Sequence, residues 1–183
     1  MRSLTRLISG APRVYIVKSE RQMLKELINA VRRNHALEHA TIAVMLDRQG
    51  PMRVIGRASP DGFYVYGNVR TERLAEYATE ALARLQRGES HLAVSPLCGT
   101  NIVVAGVLAG LGSYIAANSG RRRWDGLSSA MAAAMVGVVA AQPIGRLVQK
   151  HYTTSPDLEG VRIVSVDALG VRGVHKVRTA PAA

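Results

Sequence analysis

Arg33-Asn34-His35-Ala36-Leu37-Glu38-His39-Ala40-Thr41-Ile42 is the stretch from which the rest of the chain is read. Its two histidines stand four residues apart, with a glutamate one residue before the second. On a helix, i and i+4 share a face and i+3 lies beside them. The surrounding sequence supports that helix. Ser19 is an N-cap ahead of Glu20 and Gln22, and Gly50-Pro51 supplies the stop after Arg48. One stripe reads Leu24, Ile28, Val31, His35, Glu38, His39, Ile42 and Leu46. Lys25, Asn29, Arg32 and Arg33 make a wet side in the first half. From Ala36 to Leu46 the residues are small or apolar almost all round, which predicts burial. Three ionisable groups on such a stripe would cost several kcal/mol if unpartnered.

Working outward, residues 52–57 and 62–69 read as a two-stranded hairpin turned by Ser59-Pro60-Asp61-Gly62. Phe63, Val65 and Gly67 alternate with Tyr64, Tyr66 and Asn68, as in a half-buried strand. Thr71 is placed to cap a second helix over 72–87, with Leu74, Ala78, Ala81, Leu82 and Leu85 inward and Gly88 as its stop. Residues 92–94 suggest a short strand. Residues 161–167 and 171–178 suggest a terminal strand pair that completes the sheet begun at Met52. The expected fold class is α+β: a long motif-bearing helix on a small antiparallel sheet.

Between these parts lie two uncharged runs, 102–117 and 127–144. Each is somewhat short of the roughly 20 residues that cross a bilayer, but flanking residues can extend them. They predict an inserted two-helix transmembrane hairpin, and Gly106-x-x-x-Gly110 has the spacing of a tight helix pair. Arg121, Arg122 and Arg123 with Trp124 read as an interface anchor, and Arg146 can snorkel. The organisation is a basic lead (1–18), an α+β motif region (19–100), the hairpin (101–149) and the strand pair (150–183).

The formal net charge is +11, and about half the residues are hydrophobic. No nucleic-acid-binding motif accompanies the charge, so no nucleic-acid partner is expected. An anionic membrane face suits it better. The single cysteine, Cys98, permits no intrachain disulfide and suits a reducing compartment. Arg13 and Pro12 interrupt any apolar leader. These features point to the inner (cytoplasmic) membrane; the positive charge of both the Arg121–Arg123 loop and the N-terminal region pulls the positive-inside rule both ways, and the single cysteine and absent leader favour a soluble part in the cytoplasm.

The chemistry expected of His35, Glu38 and His39 is metal chemistry. Zinc takes neutral imidazole nitrogens, usually a third protein ligand, and an open position for water. Zinc so held makes water a usable nucleophile, with Glu38 as the general base. For the third ligand Cys98 leads. It precedes the first apolar helix, where the helix dipole favours thiolate. Glu80 and Glu76 follow, with surface ion pairs as their competing role, then His91 on a loop and His151 after the second apolar helix. His175, beside Lys176, looks exposed. Thr100 or Asn101 is placed to cap the apolar helix. The function expected is a membrane-bound zinc-dependent hydrolase, a peptidase acting on a membrane-proximal peptide. The alternatives are a non-catalytic subunit or scaffold with a closed structural metal site, and a metal-free Cys98–histidine nucleophile.

His35-x-x-Glu38-His39 resembles the signature of the inverzincins, the pitrilysin and insulin-degrading enzyme group. That resemblance implies His35 and His39 as zinc ligands and Glu38 as base. The turn, tyrosine-bearing strand and amphipathic helix from Gly56 to Arg87 follow the same order. The chain departs from that group in its length, its apolar hairpin and its lack of a clear glutamate third ligand. Asn34 through Ile42, together with Cys98-Gly99-Thr100-Asn101, resembles an uncharacterised bacterial membrane-protein family, a domain of unknown function. This second likeness covers most of the chain from about Ala30 onward and implies a shared architecture without an established activity.

Overall fold

The computed structural model describes residues 19–119 and 123–181, with no side-chain placement for 123–125. The basic lead and the anchoring role expected of Arg121–Arg123 and Trp124 therefore fall outside what is described.

Helix α1 (Glu20–Gln49) begins at a full capping box. Ser19 Oγ accepts from the Gln22 N–H at 3.3 Å, and Gln22 Oε1 accepts from the Ser19 N–H at 3.0 Å. Two orphan amides are thereby satisfied. It ends at Gly50, whose φ of 79° lies in the left-handed region that glycine tolerates. Strands β1 (Val54–Ser59) and β2 (Gly62–Gly67) form the expected hairpin. Helix α2 spans Thr71–Gln86, and α3 (Gly99–Ser119) and α4 (Arg123–Val148) form the apolar hairpin. The chain then passes through one π turn (Gln149–Thr153) into β3 (Val161–Ala168) and β4 (Val174–Pro181).

The four strands form one antiparallel sheet in the order β1-β2-β4-β3. The C-terminal pair thus completes the sheet through β2–β4, with the apolar hairpin inserted between the two halves. Phe63 pairs with Val177 and Val65 with His175. Period-two alternation sends these to one face. There Phe63, Val65 and Val177 meet Leu37, Val44 and Met45 of α1 and Leu74, Ala78, Ala81 and Leu85 of α2 in a single core. Gly62 permits the β2–β4 approach, because a Cβ there would lie 1.9 Å from the Val177 carbonyl oxygen.

Several expectations are corrected. Thr71 is the first residue of α2 and does not cap it; the cap position is Arg70, which makes no side-chain bond. The Thr71 hydroxyl lies 3.4 Å from His175 Nδ1, and His175 is buried. Its place in β4, an inner strand of the sheet, turns it toward α2. Residues 92–94 are no strand: Ser90–Ala93 is a 3-10 turn. Strand β4 starts at Val174, since Gly173, with φ 74°, still belongs to the turn.

Both hairpin helices are long and apolar enough to cross a membrane. They extend well beyond the uncharged runs, and they present Val103, Val107, Leu111, Met135, Val136 and Val139 outward. The tight helix approach does not use Gly106 and Gly110, where an added Cβ would meet no other part of the described residues within 4 Å. It uses Gly137, whose added Cβ would sit 2.7 Å from the Ala109 nitrogen, and Gly126, 3.0 Å from the Ala117 oxygen. Missing side chains at those two positions let the backbones meet.

Candidate metal centre

Two segments bring the side chains of the candidate site together at the root of the hairpin. The inner half of α1 carries His35, Glu38 and His39. The residue before α3 is Cys98, whose Sγ accepts the Thr100 N–H at 3.4 Å. The thiol itself therefore takes an orphan amide of α3, in place of Thr100 or Asn101. The Asn101 side chain instead reaches back to the Ser95 and Pro96 carbonyls.

One ligand atom from each of His35, His39 and Cys98 lies within 4.8 Å of the others, and this group could hold a metal ion. Cys98 Sγ is 3.4 Å from His35 Nε2. The imidazole rings are 4.4 Å apart, tilted by 58°. His35 Nδ1 is 3.0 Å from the Thr153 carbonyl oxygen, and His39 Nδ1 is 2.9 Å from that of Ala93. A carbonyl only accepts, so each Nδ1 donates, and in the neutral ring Nε2 is left with its lone pair. A carbonyl on the far nitrogen is the usual outer support of a metal-bound histidine. His39 Nε2 is buried with no hydrogen-bond partner. An orphaned lone pair of this kind is costly unless something binds it, so the donor set fits a cation.

Burial pushes the Cys98 thiol up, but contact with His39, the Thr100 N–H and the nearby imidazole charge outweigh it and leave its pKa lowered. The directed 3.4 Å contact to Sγ comes from His35. Because His39 Nε2 makes no hydrogen bond of good geometry, its effect on the thiol is that of a close ring. A lowered pKa raises the thiolate fraction, the form that binds metal.

Glu38 is buried beside this group. Desolvation pushes its carboxyl up to about 7, against smaller lowering effects from His35 and the Ala58 backbone. Its seat exists because residue 56 is glycine: an added Cβ there would lie 2.1 Å from Glu38 Oε1. His35, Glu38, His39 and Cys98 together line a cleft of about 520 Å³, walled by α1, β1 and the start of α3.

The other candidate ligands lie elsewhere. Glu80 pairs with Arg48 at 3.0 Å and Glu76 with Arg73 at 2.9 Å on the surface of α2. His91 and His151 are exposed, and the His151 carbonyl accepts from Arg32. Several positioning residues were not singled out from the sequence. Gln149, fully buried, accepts from the Ser95 N–H and donates to Asn101 Oδ1, both at 2.9 Å, tying the Cys98 loop to the end of α4. Asn34 donates to the Ser59 and Pro60 carbonyls and accepts from the Thr179 hydroxyl, fixing α1 on the sheet. An uncharged amide in a helix otherwise read for its ionisable groups was the available signal.

The fold and site define an α+β protein with an apolar helical hairpin and a His-His-Cys group at its root. Residues 30–166 match the domain-of-unknown-function family DUF6391, and the chain belongs to that family. An uncharacterized protein of the cyanobacterium Picosynechococcus sp. is 32% identical over 145 residues, covering 72% of this chain and 69% of the relative. No solved structure matches the chain.

Proposed function

We propose that the protein is a membrane-anchored, zinc-dependent hydrolase, a peptidase acting near the bilayer surface. His35, His39 and Cys98 would hold the metal, and Glu38 would be the general base. The observation that carries this reading is the convergence of two carbonyl-oriented imidazoles and a thiol beside a buried glutamate in one cleft. Bound zinc would supply a Lewis acid that polarises a carbonyl and acidifies a water. Glu38, with a pKa of about 7, can take up and release a proton at neutral pH. Three protein donors, the number His35, His39 and Cys98 would supply, match the count of catalytic zinc sites, whereas a closed structural site uses four. The inverzincin-like order of His35, Glu38 and His39 supports the same roles. The exposed apolar helices α3 and α4 support the membrane anchor.

The 3.4 Å contact between Cys98 and His35 also suits a metal-free thiol–imidazole pair. Metal analysis of the purified full chain separates the readings. About one zinc per chain is expected, lost in His39→Ala. Glu38→Gln should keep the zinc and lose peptide hydrolysis. A folded, zinc-free wild-type protein whose hydrolysis is abolished by thiol alkylation would replace the metal reading with the dyad. Full zinc content in Cys98→Ser would remove Cys98 as a ligand.

A further inference from the structure

The outer half of α1 carries an apolar face with no protein against it among the described residues. Met23, Leu24, Leu27 and Ile28 are between 49% and 57% exposed. Helical spacing puts Leu24, Leu27, Ile28 and Val31 on one stripe, which continues directly into His35 and Glu38. Arg21 and Lys25, four residues apart, line one flank of it, while Glu20 stands at its outer end and Glu26 on the opposite side of the helix. At residue 32 the helix is pinned to the root of the hairpin. The Arg32 guanidinium donates to the carbonyls of His151 and Thr154, each at 3.1 Å, and its own carbonyl accepts the Ser155 N–H at 3.0 Å. Beyond that pin α1 does not pack lengthwise on α3 or α4. The mouth of the cleft is apolar in the same way: Ile55, Leu97 and Ile102, which line it, are 69–76% exposed. Ile102 already belongs to the first hairpin helix.

We infer that the outer half of α1 lies in the headgroup layer of the bilayer, apolar face down, so that the cleft opens onto the membrane surface. The inference rests on the reading of α3–α4 as a membrane hairpin. Given that hairpin, its root is the water–lipid boundary, and a helix pinned there with one apolar face and a basic flank has the form of an in-plane amphipathic helix. The basic flank and the net charge of +11 favour an anionic lipid surface over a second, equally basic copy of the chain. A mouth of this kind admits a chain lying at the bilayer surface, which suits the membrane-proximal substrate proposed above.

Site-directed spin labelling of the full chain tests this, in nanodiscs of phosphatidylcholine and phosphatidylglycerol. Nitroxides go on Leu27→Cys, on Asn29→Cys of the polar face and on Val107→Cys of the hairpin, with labelled wild type as background for Cys98. Accessibility to oxygen, which concentrates in lipid, is compared with that to a water-soluble nickel chelate. The label at 27 should favour oxygen and lie about 5–10 Å below the phosphates. The label at 29 should favour nickel, and that at 107 should lie deeper than both. Nickel access at 27 with lipid contact at 107 would overturn the inference and leave the membrane hairpin standing. Water contact at both 27 and 107 would overturn the hairpin reading, and the inference with it. Shielding of 27 from both reagents, with spin–spin broadening between chains, would assign the stripe to a second copy and overturn it too.

Discussion

The two halves of α1 repeat one stripe and meet opposite surroundings. Residues 34–45 are packed against β1, α2 and the Ser90–Ala93 turn and carry the site, whereas residues 20–29 are exposed throughout, apolar members included. The family match begins at residue 30, at the boundary between them. Helical periodicity decides which side chains share a face. What covers that face is decided by partners remote in sequence, here β1, α2 and the Ser90–Ala93 turn, all between residues 54 and 93. One shared stripe thus builds a core where the rest of the helix is also small and apolar, and leaves a surface where Lys25, Asn29 and Arg32 keep the helix wet on its other side.

The largest expected contrast tests that division directly. Leu37 is fully buried, so Leu37→Ala removes core contacts and should cost roughly 2–5 kcal/mol in detergent. Leu27→Ala, the same change ten positions earlier, should move stability by no more than about 0.5 kcal/mol. Chemical denaturation of the two variants is sufficient. Equal losses would mean that the outer half is packed in solution and would erase the comparison.

A second contrast lies within the buried half. Glu38 has an ordinary pKa of 4.5 and a folded value of about 7. The folded state therefore holds the extra proton between those values. Metal-free wild type should lose stability as pH rises from 4.5 to 7 and level off above that. The loss totals roughly 3 kcal/mol, from about 1.4 kcal/mol per pKa unit. Glu38→Gln cannot ionise, so its advantage over wild type should grow across that window and vanish below pH 4.5. A pH-independent difference would show that Glu38 is solvated or paired in the folded protein. Loading zinc into wild type should shrink the effect, because a nearby cation favours the carboxylate.

Much of this was legible because it is local. The Ser19 capping box, the Gly50 stop, the common face of His35 and Glu38 and the turn at Pro60 all depend on residues a few positions apart. Cys98 was reachable because a lone cysteine ahead of an apolar helix is rare enough to notice. The carbonyls of Thr153 and Ala93 that orient the imidazoles were out of reach: every residue has a carbonyl, so composition carries no sign of which one is used. The hairpin contact was misplaced for a related reason. Gly106-x-x-x-Gly110 and Gly126 with Gly137 are equally small, and only the rotation of the two helices selects between them. His175 read as exposed because its neighbour is Lys176. That lysine is itself buried, with its ammonium on Asp61 at 2.7 Å and over the Tyr64 ring.

A smaller effect is expected at Gly56. Alanine there would drive its Cβ into the Glu38 side chain, with Cγ, Cδ and Oε1 all inside 2.6 Å. The carboxylate must leave its place beside Ala58. Gly56→Ala should cost about 1–3 kcal/mol as an overpacked site. On the proposed function it should retain zinc and lose hydrolysis, because the clash falls on Glu38 and not on His35, His39 or Cys98. Zinc and activity lost together would mean that β1 shapes the whole centre and not the glutamate alone.

The smallest effect falls at the far end of the exposed half. Ser19→Ala removes the side-chain acceptor for the Gln22 amide and breaks the capping box, worth about 1 kcal/mol to the first turn of α1. Since residues 20–29 contribute nothing to the core, that loss should stay local. Amide exchange at residues 22 and 23, whose N–H groups bond Ser19, should accelerate about fivefold, the equivalent of that energy, while the global unfolding midpoint stays where it is. If the midpoint falls by the full amount, the two halves of α1 unfold as one cooperative unit, and the boundary near residue 30 is one of packing only and not of stability.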